Sequence, residues 1–355
     1  MIFLIGILLI LLTTIFFDIF EIKKISYIKK IKNKKLQWII SMVPIIVILL
    51  LFNYVNAMII FIHIAIFLLI YRLILLIIKK VRKKDYNHDL PIMLSVITVI
   101  IYLSIGFYYA HHIYETTYNI KTTKDINDFK IVFLSDSHIG TTFDGNGFYK
   151  QMEKISKIDC DIFVVIGDFI DDDTKKEDMI RSVEALALAK PTYGTYFVYG
   201  NHDKGYFNNR DYNDNDLREE LNKHNITILE DEVKEIDNIY LIGRKDKRDN
   251  TRKSITELIN DIPNDKYIIS LNHQPNDYDN ETNNVDLVLS GHSHGGQMFP
   301  LAYFGKLSGA NDESYGLHRR GNTEFIVSSG ISDWRASFKT GAIAEYVIVN
   351  IKKAN

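Results

Sequence analysis

The sequence predicts an α/β domain preceded by an all-α membrane region. The first 115 residues carry 13 basic and five acidic residues, separated by long uncharged stretches, whereas the remaining residues carry a net charge of −10. From about residue 129, short apolar runs alternate with amphipathic stretches, which is typical of alternating strands and helices. The chain therefore divides into two parts of opposite charge and different architecture.

The composition excludes several classes of protein. Hydrophobic residues make up 47% of the chain, which is too many for a disordered segment. Cys160 is the only cysteine, so a disulfide scaffold is excluded. The acidic second part argues against nucleic acid, and we expect no nucleic-acid partner.

Four uncharged stretches predict four transmembrane helices, because each is close to the roughly 20 residues that cross a bilayer. The first covers residues 1–17, and the last runs from Leu90 to Tyr114. Between them, the 36 residues from Leu36 to Tyr71 carry no Asp, Glu, Lys or Arg and are too long for one span. A break near Asn53 and Asn56 gives two helices, over about residues 37–54 and 57–78.

The domain boundaries follow from these stretches. We predict a membrane anchor over residues 1–115, a linker over 116–128 and an α/β domain over 129–355.

The loops between the spans predict the orientation. Seven lysines lie in residues 21–35 and five basic residues lie in 79–84, whereas the turn between the second and third spans has none. Because basic loops are retained in the cytoplasm, we expect a multi-pass cell-membrane protein whose domain after Tyr114 is extracytoplasmic. A cleaved signal peptide is the alternative for the first span, but no basic segment precedes it and no small-residue cleavage site follows it.

The second part contains strands of two strengths, with helices between them. The strong strands are Lys130–Leu134, Ile162–Ile166, Tyr193–Tyr199, Tyr267–Leu271 and Val285–Leu289. Weaker strands cover Ile226–Leu229, Ile239–Ile242, Glu324–Val327 and Ile343–Ile351, and the helices cover Phe148–Ile158, Glu177–Lys190 and Leu217–His224.

Each strong strand runs directly into Asp, His or Asn, usually beside glycine. The five segments are LSDSHIG (134–140), IGDFID (166–171), YGNHDK (199–204), LNHQP (271–275) and LSGHSHGGQ (289–297). Ligands bind at the carboxyl ends of strands in open α/β sheets, so these five ends are expected to converge.

The side chains at these strand ends suit a pair of divalent first-row metal ions. Carboxylate, amide and imidazole ligands accept manganese, iron or zinc. Two ions held about 3.5–4 Å apart can bind a bridging hydroxide and stabilise both the attacking and leaving oxygens of a phosphoryl transfer. Glycine before Asp168, Asn201 and His292 is expected to allow a sharp turn at the strand end.

Together the five segments resemble the signature of the calcineurin-like metallophosphoesterases, and GHSHGGQ after hydrophobic spans resembles their membrane-anchored bacterial branch. The resemblance covers about residues 129–352 and implies a four-layer α/β/β/α sandwich. It implies that Asp168 bridges two metal ions. One ion would be held by Asp136, His138 and His294, and the other by Asn201, His273 and His292.

The resemblance also implies how catalysis occurs. His202 would contact the phosphate and protonate the leaving oxygen, with Asp203 orienting its ring. Asp171 is expected to support the loop rather than bind metal. A metal-bridging hydroxide would attack a phosphomonoester or phosphodiester in line. The anchor suggests a substrate that is linked to the lipid bilayer or the cell wall.

Two other interpretations remain open. The domain could be a non-catalytic, metal-binding sensory module coupled to the membrane helices, although the chain keeps every residue of the signature. Transport through the membrane spans is a weaker interpretation, because His63 and Arg72 are the only candidate ionisable groups that could line a pathway.

Overall fold

The computed structural model describes residues 2–83, 85–205, 210–299 and 302–354, without the side chains of residues 2–7, 302 and 304. Its contacts divide the chain into two compact units, Met1–Phe107 and Tyr108–Asn355.

The first unit is helical. It contains the helices α1 (Ile2–Lys23), α2 (Ser26–Lys29), α3 (Lys34–Leu51) and α4 (Tyr54–Arg82). A fifth helix, α5 (Leu90–His111), begins in the first unit and ends in the second. Among the described residues, α3, α4 and α5 are long and apolar enough to cross a membrane. The first of the four predicted spans lies in α1 and falls partly outside the described residues.

Several polar side chains in the first unit have partners within it. The predicted break between α3 and α4 is confirmed, since the Asn53 side chain caps α4 by accepting from the Asn56 amide at 2.9 Å. Arg72 forms an ion pair with Glu21 across the bundle. His63 donates from Nδ1 to the Ile59 carbonyl at 2.7 Å. The two ionisable groups considered for a transport pathway are therefore already engaged.

The described residues of the second unit form two six-stranded sheets. The first sheet has the order β1-β12-β2-β3-β4-β5 and the second β10-β11-β9-β8-β7-β6. The strands of the first are β1 (Ile113–Thr122), β2 (Phe129–Leu134), β3 (Ile162–Ile166), β4 (Thr195–Val198), β5 (Ile226–Ile228) and β12 (Ala344–Lys353). Those of the second are β6 (Glu232–Ile236), β7 (Ile239–Gly243), β8 (Tyr267–Leu271), β9 (Leu287–Ser290), β10 (Gly316–Arg320) and β11 (Thr323–Val327).

Helices cover the outer faces of these sheets. They are α6 (Gly145–Ile155), α7 (Lys176–Leu186) and α8 (Asp214–Lys223) on the first sheet, and α9 (Ile255–Ile259) and α10 (Tyr278–Glu281) on the second. The chain also forms a short helix, α11 (Ala302–Leu307), and a 3₁₀ turn over His294–Gly296.

Three hydrophobic cores separate four layers. The alternation of side chains along β2 sends Val132 to the face that packs on α6, α7 and α8, and Ile131 to the space between the two sheets. A third core packs the outer face of the second sheet against α9 and α10. Each fully buried large apolar side chain contributes roughly 1.5–3 kcal/mol. The result is the α/β/β/α sandwich that the resemblance implies.

The strands that the sequence analysis missed lie at the ends of the sheets. β1 occupies most of the linker predicted over residues 116–128 and pairs in parallel with β12 along its whole length. β6 and β10 end the second sheet and pair antiparallel with β7 and β11. Along most of β1 exposed residues alternate with partly buried ones, and four of the five residues of β6 are exposed. Both edge strands therefore lack the apolar run that marks a central strand.

Candidate metal centre

The carboxyl ends of the central strands meet at one edge of the sandwich. β2, β3 and β4 are mutually parallel in the first sheet, and β7, β8, β9 and β11 are parallel in the second. The five segments singled out in the sequence follow β2, β3, β4, β8 and β9, so the topology brings them together. The seven predicted ligands lie here: Asp136, His138, Asp168, Asn201, His273, His292 and His294.

Five of these seven residues have left-handed backbone conformations. They are Asp136 (φ 52°), His138 (φ 38°), Asp168 (φ 51°), His292 (φ 68°) and His294 (φ 48°). Residues other than glycine adopt this conformation at a cost of about 1 kcal/mol or more, and such residues cluster at functional sites. The concentration of this strain at the strand ends marks the site independently of residue type.

The glycines in the segments act in two different ways. Gly167 has φ +67°, so it makes the sharp turn expected before Asp168. Gly291 is not among the residues with positive φ, and a Cβ there would lie 2.4 Å from Oδ2 of Asp136. The chain turns at His292, where the Ser293 amide donates to the Gly291 carbonyl at 2.8 Å, but Gly291 itself does not adopt a left-handed conformation. Glycine is required there because two loops approach closely.

One group of potential ligand atoms comprises Asp136, His138 and His294. All three residues are buried, and their ligand atoms lie within 4.8 Å of one another. Nε2 of His294 lies 3.2 Å from Nε2 of His138 and 3.7 Å from Oδ1 of Asp136. Metal–ligand bonds of about 2.0–2.2 Å place neighbouring ligand atoms about 3–3.5 Å apart, so this spacing suits one ion.

A second group comprises Asp168, His273 and His292. Nε2 of His273 lies 3.1 Å from Oδ2 of Asp168, and the same carboxylate oxygen lies 3.8 Å from Nε2 of His138 in the first group. Asn201, which precedes His202 in the chain, is buried. The backbone amide of His202 donates to Oδ1 of Asp168 at 2.8 Å. The Asp168 carboxylate thus lies between the two groups.

Hydrogen bonds leave ring nitrogens of the buried histidines available to a metal. Nδ1 of His138 donates to Asp171 at 3.2 Å, and Nδ1 of His273 donates to the Ile166 carbonyl at 2.9 Å. Metal-binding histidines typically donate their second ring N–H in this way. Within the described part of the chain, Nδ1 of His292 and of His294 are buried without a hydrogen-bond partner. Orphaned nitrogens of this kind fit a cation-binding site.

The electrostatics also fit cations. Burial raises the pKa of Asp136, which lies near His273, and the negative charge of Asp168 raises it further. Burial opposes the charge of Asp168, but His273 and His138 outweigh it and hold the pKa of Asp168 well below its usual range. Burial and the charge on His273 lower the pKa of His292 to about 3, which keeps this imidazole neutral and able to bind metal. The site therefore presents the ionised carboxylate of Asp168 and the neutral imidazole of His292, whereas the raised pKa of His273 means that a metal must displace a proton from that ring.

His202 lies beside these groups and hydrogen-bonds to Asp171. Its Nδ1 donates to Oδ1 of Asp171 at 3.0 Å, and its ring centroid is 4.9 Å from that of His138. The side chain is 22% exposed, whereas those of His138 and His273 are almost fully buried. A partly exposed imidazole held by a carboxylate is suited to proton transfer.

Asp203 has a different role from the one expected. Its carboxylate accepts from the backbone amides of Phe169, Ile170 and Gly200 at 2.7–3.0 Å. Asp203 thus joins the loops after β3 and β4, while Asp171 accepts the hydrogen bond from the His202 ring. The sequence offered no signal for this distinction, because Asp203 is adjacent to His202 in the chain whereas Asp171 lies 31 residues away.

Comparison with known proteins identifies the family. The model of the calcineurin-like phosphoesterase family matches residues 129–296. An uncharacterised metallophosphoesterase of Campylobacter jejuni is 31% identical over 285 residues, which cover 76% of this chain and 73% of that protein. The chain belongs to the calcineurin-like metallophosphoesterase family.

Two further relatives support this assignment. An uncharacterised metallophosphoesterase of Helicobacter pylori is 30% identical over 236 residues, covering 64% of this chain and 61% of the relative. A Danio rerio protein described as a transmembrane protein with metallophosphoesterase domain is 26% identical over 250 residues, covering 66% of this chain and 55% of the relative.

Family membership agrees with the α/β/β/α fold and with the clustered ligands. As a calcineurin-like metallophosphoesterase the protein is a phosphoric ester hydrolase, and members of its family bind metal ions. The seven predicted ligands of this metallophosphoesterase lie within the five converging segments.

Three residues near the metallophosphoesterase site were not singled out in the sequence. Lys339 is fully buried and donates to the carbonyls of Ser329 and Ser332 at 2.7 and 3.2 Å, which anchors the loop that precedes β12. Gln274 and Asp246 hydrogen-bond to each other at 2.8 Å beside Asn201. In the sequence, only Gln274 could have been linked to the site, because it is adjacent to His273. Nothing in the sequence indicated Lys339.

Proposed function

We propose that the protein is a membrane-anchored phosphoesterase with two divalent metal ions. The observation that carries this proposal is the position of Asp168 between two ligand groups, 3.1 Å from His273 and 3.8 Å from His138. A shared carboxylate is what two cations in close proximity require. We assign Asp136, His138 and His294 to one ion, Asn201, His273 and His292 to the other, and Asp168 to both.

The residues of the site would act in distinct ways on a phosphomonoester or phosphodiester. When bound, the ions would polarise the phosphate oxygens and lower the pKa of the attacking water. His202 would donate a proton to the leaving oxygen, and Asp171 would hold the ring and balance its positive charge. The buried ligands would exclude bulk water from the reacting oxygens, which strengthens every electrostatic interaction there.

The substrate is proposed to be a phosphate ester attached to a membrane lipid or a cell-wall polymer. Three described apolar helices support attachment of the first unit to a bilayer. We propose that residues 1–115 form a multi-pass anchor, with a cytoplasmic location for both lysine-rich loops. The catalytic domain would then face the extracytoplasmic side, where such esters occur.

Metal-dependent hydrolysis tests this proposal. The full chain in detergent would be stripped of metal, reloaded with Mn²⁺, Zn²⁺ or Fe²⁺, and assayed on a chromogenic phosphomonoester and a phosphodiester. Turnover that requires metal and disappears in Asp168→Ala supports the phosphoesterase. Binding of two ions without hydrolysis of either ester would favour the sensory module. Failure of the folded protein to bind two ions would overturn the dinuclear site.

A further inference from the structure

The loop after β7 contacts the predicted metal ligand Asn201 directly through Arg248, and indirectly from Asp246 through Gln274, which follows β8. Nη1 of Arg248 donates to the backbone carbonyl of Asn201 at 3.2 Å. On the side-chain face, Nε2 of Gln274 lies 3.4 Å from Oδ1 of Asn201 and donates to Oδ2 of Asp246 at 2.8 Å. Because β7 and β8 are parallel neighbours, their carboxyl ends place this loop beside the segment that carries His273.

We propose that Asp246, acting through Gln274, positions Asn201 so that its amide oxygen faces the metal. The inference rests on the proposed function, since it takes Asn201 as a ligand of one ion. Asp246 and Gln274 are positioning residues in this scheme, because neither is assigned to the metal or the substrate.

The first step of the argument concerns the orientation of Gln274. An ionised carboxylate only accepts hydrogen bonds, so Asp246 can face only the NH₂ group of the Gln274 amide. The backbone amide of Arg248 donates to the other Asp246 oxygen at 2.9 Å, which fixes the carboxylate itself. On the opposite side, Oε1 of Gln274 accepts from Nδ2 of Asn276 at 3.2 Å. Both ends of the Gln274 amide are therefore specified.

The second step concerns Asn201. The NH₂ group of Gln274 faces the Asn201 side chain as well, and a donor there selects the amide oxygen of Asn201 rather than its NH₂ group. An amide oxygen is a metal ligand, whereas an amide NH₂ group is not. An amide rotates by 180° with little steric change, so an unrestrained asparagine would present either group to the ion. The carboxylate of Asp246 thus fixes which end of the Gln274 amide faces Asn201, and Gln274 in turn fixes which end of the Asn201 amide faces the ion.

The burial of these residues strengthens the effect. Asn201 and Asp246 are 5% and 8% exposed, and Gln274 is partly buried. Hydrogen bonds that are shielded from water are electrostatically stronger, and an unsatisfied polar group in such a place is costly. Groups that orient metal ligands in this way typically change metal affinity by roughly 10- to 100-fold when they are altered.

The test measures metal binding to the full chain in detergent, with Mn²⁺ alone as the probe. Gln274→Glu replaces the donor with an acceptor and reverses the polarity at Asn201. We expect one of the two Mn²⁺ equivalents to bind roughly 10- to 100-fold more weakly, with the other unchanged. Asp246→Asn removes the polarity without reversing it, so we expect a smaller loss at the same equivalent.

Asp249→Asn is the matched control. Asp249 lies on the same loop, and its carboxylate contacts Thr251 and Lys204 rather than Gln274 or Asn201. We expect its two Mn²⁺ affinities to stay within about twofold of wild type, since a surface contact of this kind contributes little. Thermal melting of each variant before titration excludes a folding defect.

Activation by metal provides a second readout. In Gln274→Glu, the Mn²⁺ concentration for half-maximal hydrolysis should rise by the same factor as the dissociation constant, while kcat at saturating Mn²⁺ stays near wild type. Unchanged Mn²⁺ affinities in both folded variants would overturn this inference and leave the proposed function intact. A wild-type protein that does not bind two equivalents would overturn the proposed function, and this inference with it.

Discussion

Asp171 accepts a hydrogen bond from Nδ1 of His202 at 3.0 Å, and its second oxygen accepts from Nδ1 of His138 at 3.2 Å. One carboxylate thus joins the proposed general acid to a predicted metal ligand. Although burial disfavours its charge, the two histidines hold the pKa of Asp171 far below its usual range, so it remains ionised. The proton donor and the metal site are therefore held together by one buried carboxylate.

Asp171→Asn should impair both functions of this carboxylate. An amide has a single acceptor oxygen, so one of the two histidines must lose its acceptor. We expect kcat at saturating metal to fall by roughly 10²- to 10⁴-fold and metal affinity to fall by roughly 10-fold or more. Steady-state kinetics and metal titration measure the two effects separately. Asp173→Asn, at an exposed ion pair with Arg335, is the control. A kcat within threefold of wild type would contradict the role of Asp171.

His202→Ala should slow hydrolysis in a way that depends on the leaving group. A general acid matters most when the leaving oxygen is strongly basic, as in an alkyl ester, and least for a nitrophenyl ester. We expect a loss of roughly 10²- to 10⁴-fold in kcat for alkyl phosphates and a much smaller loss for p-nitrophenyl phosphate. Rates for a series of esters with leaving groups of graded pKa provide the measurement. An equal loss across the series would argue against proton donation by His202.

Metal binding should release protons at neutral pH. Burial lowers the pKa of His273, but the Asp168 carboxylate outweighs burial and raises it to about 10. In metal-stripped protein the ring therefore holds a proton that a metal must displace, and affinity should increase with pH up to about 10. Calorimetric titrations with Mn²⁺ in buffers of different ionisation enthalpy count the protons. A heat of binding that does not change with the buffer would refute this linkage.

The same pKa determines how the metal-stripped protein responds to pH. The folded-state pKa of His273 is raised above the ordinary value of about 6.5. Its contribution to the free energy of unfolding is therefore fully present below pH 6.5 and is lost as the pH rises towards 10. The melting temperature of the metal-stripped protein should fall as the pH rises across this range, whereas that of the metal-loaded protein should show no such fall.

Removal of β1 should destabilise the second unit. β1 pairs with β12 from Ile113 to Thr122 and buries Ile120, so a fragment that begins at residue 124 would expose β12 as an edge strand. Compared with a fragment that begins at residue 112, we expect a melting temperature lower by roughly 5–10 °C, and aggregation. Equal melting temperatures for the two fragments would show that β1 is dispensable.

The sequence by itself determined the elements that are strongly apolar and the chemistry at their ends. Strands β2, β3 and β8 are almost entirely buried, so each is a largely apolar run, interrupted only by Lys130 in β2 and Ser270 in β8, and the residues that follow include the candidate ligands. The break at Asn53 could also be predicted, because two polar residues interrupt an otherwise apolar stretch. These features are local, and local composition is sufficient to predict them.

Only the tertiary structure decided which side chains meet across long separations in the sequence. The edge strand β1 depends on β12, which lies more than 200 residues away, and its own residues are only half apolar. The choice of Asp171 over Asp203 as the partner of His202 depends on loop geometry, since Asp203 is adjacent to His202 in the chain and Asp171 lies 31 residues away. The connection from Asp246 through Gln274 to Asn201 likewise joins three strand ends. Hydrogen bonds are directional and short, so sequence proximity cannot specify them, and only the packed sandwich brings their donors and acceptors within reach.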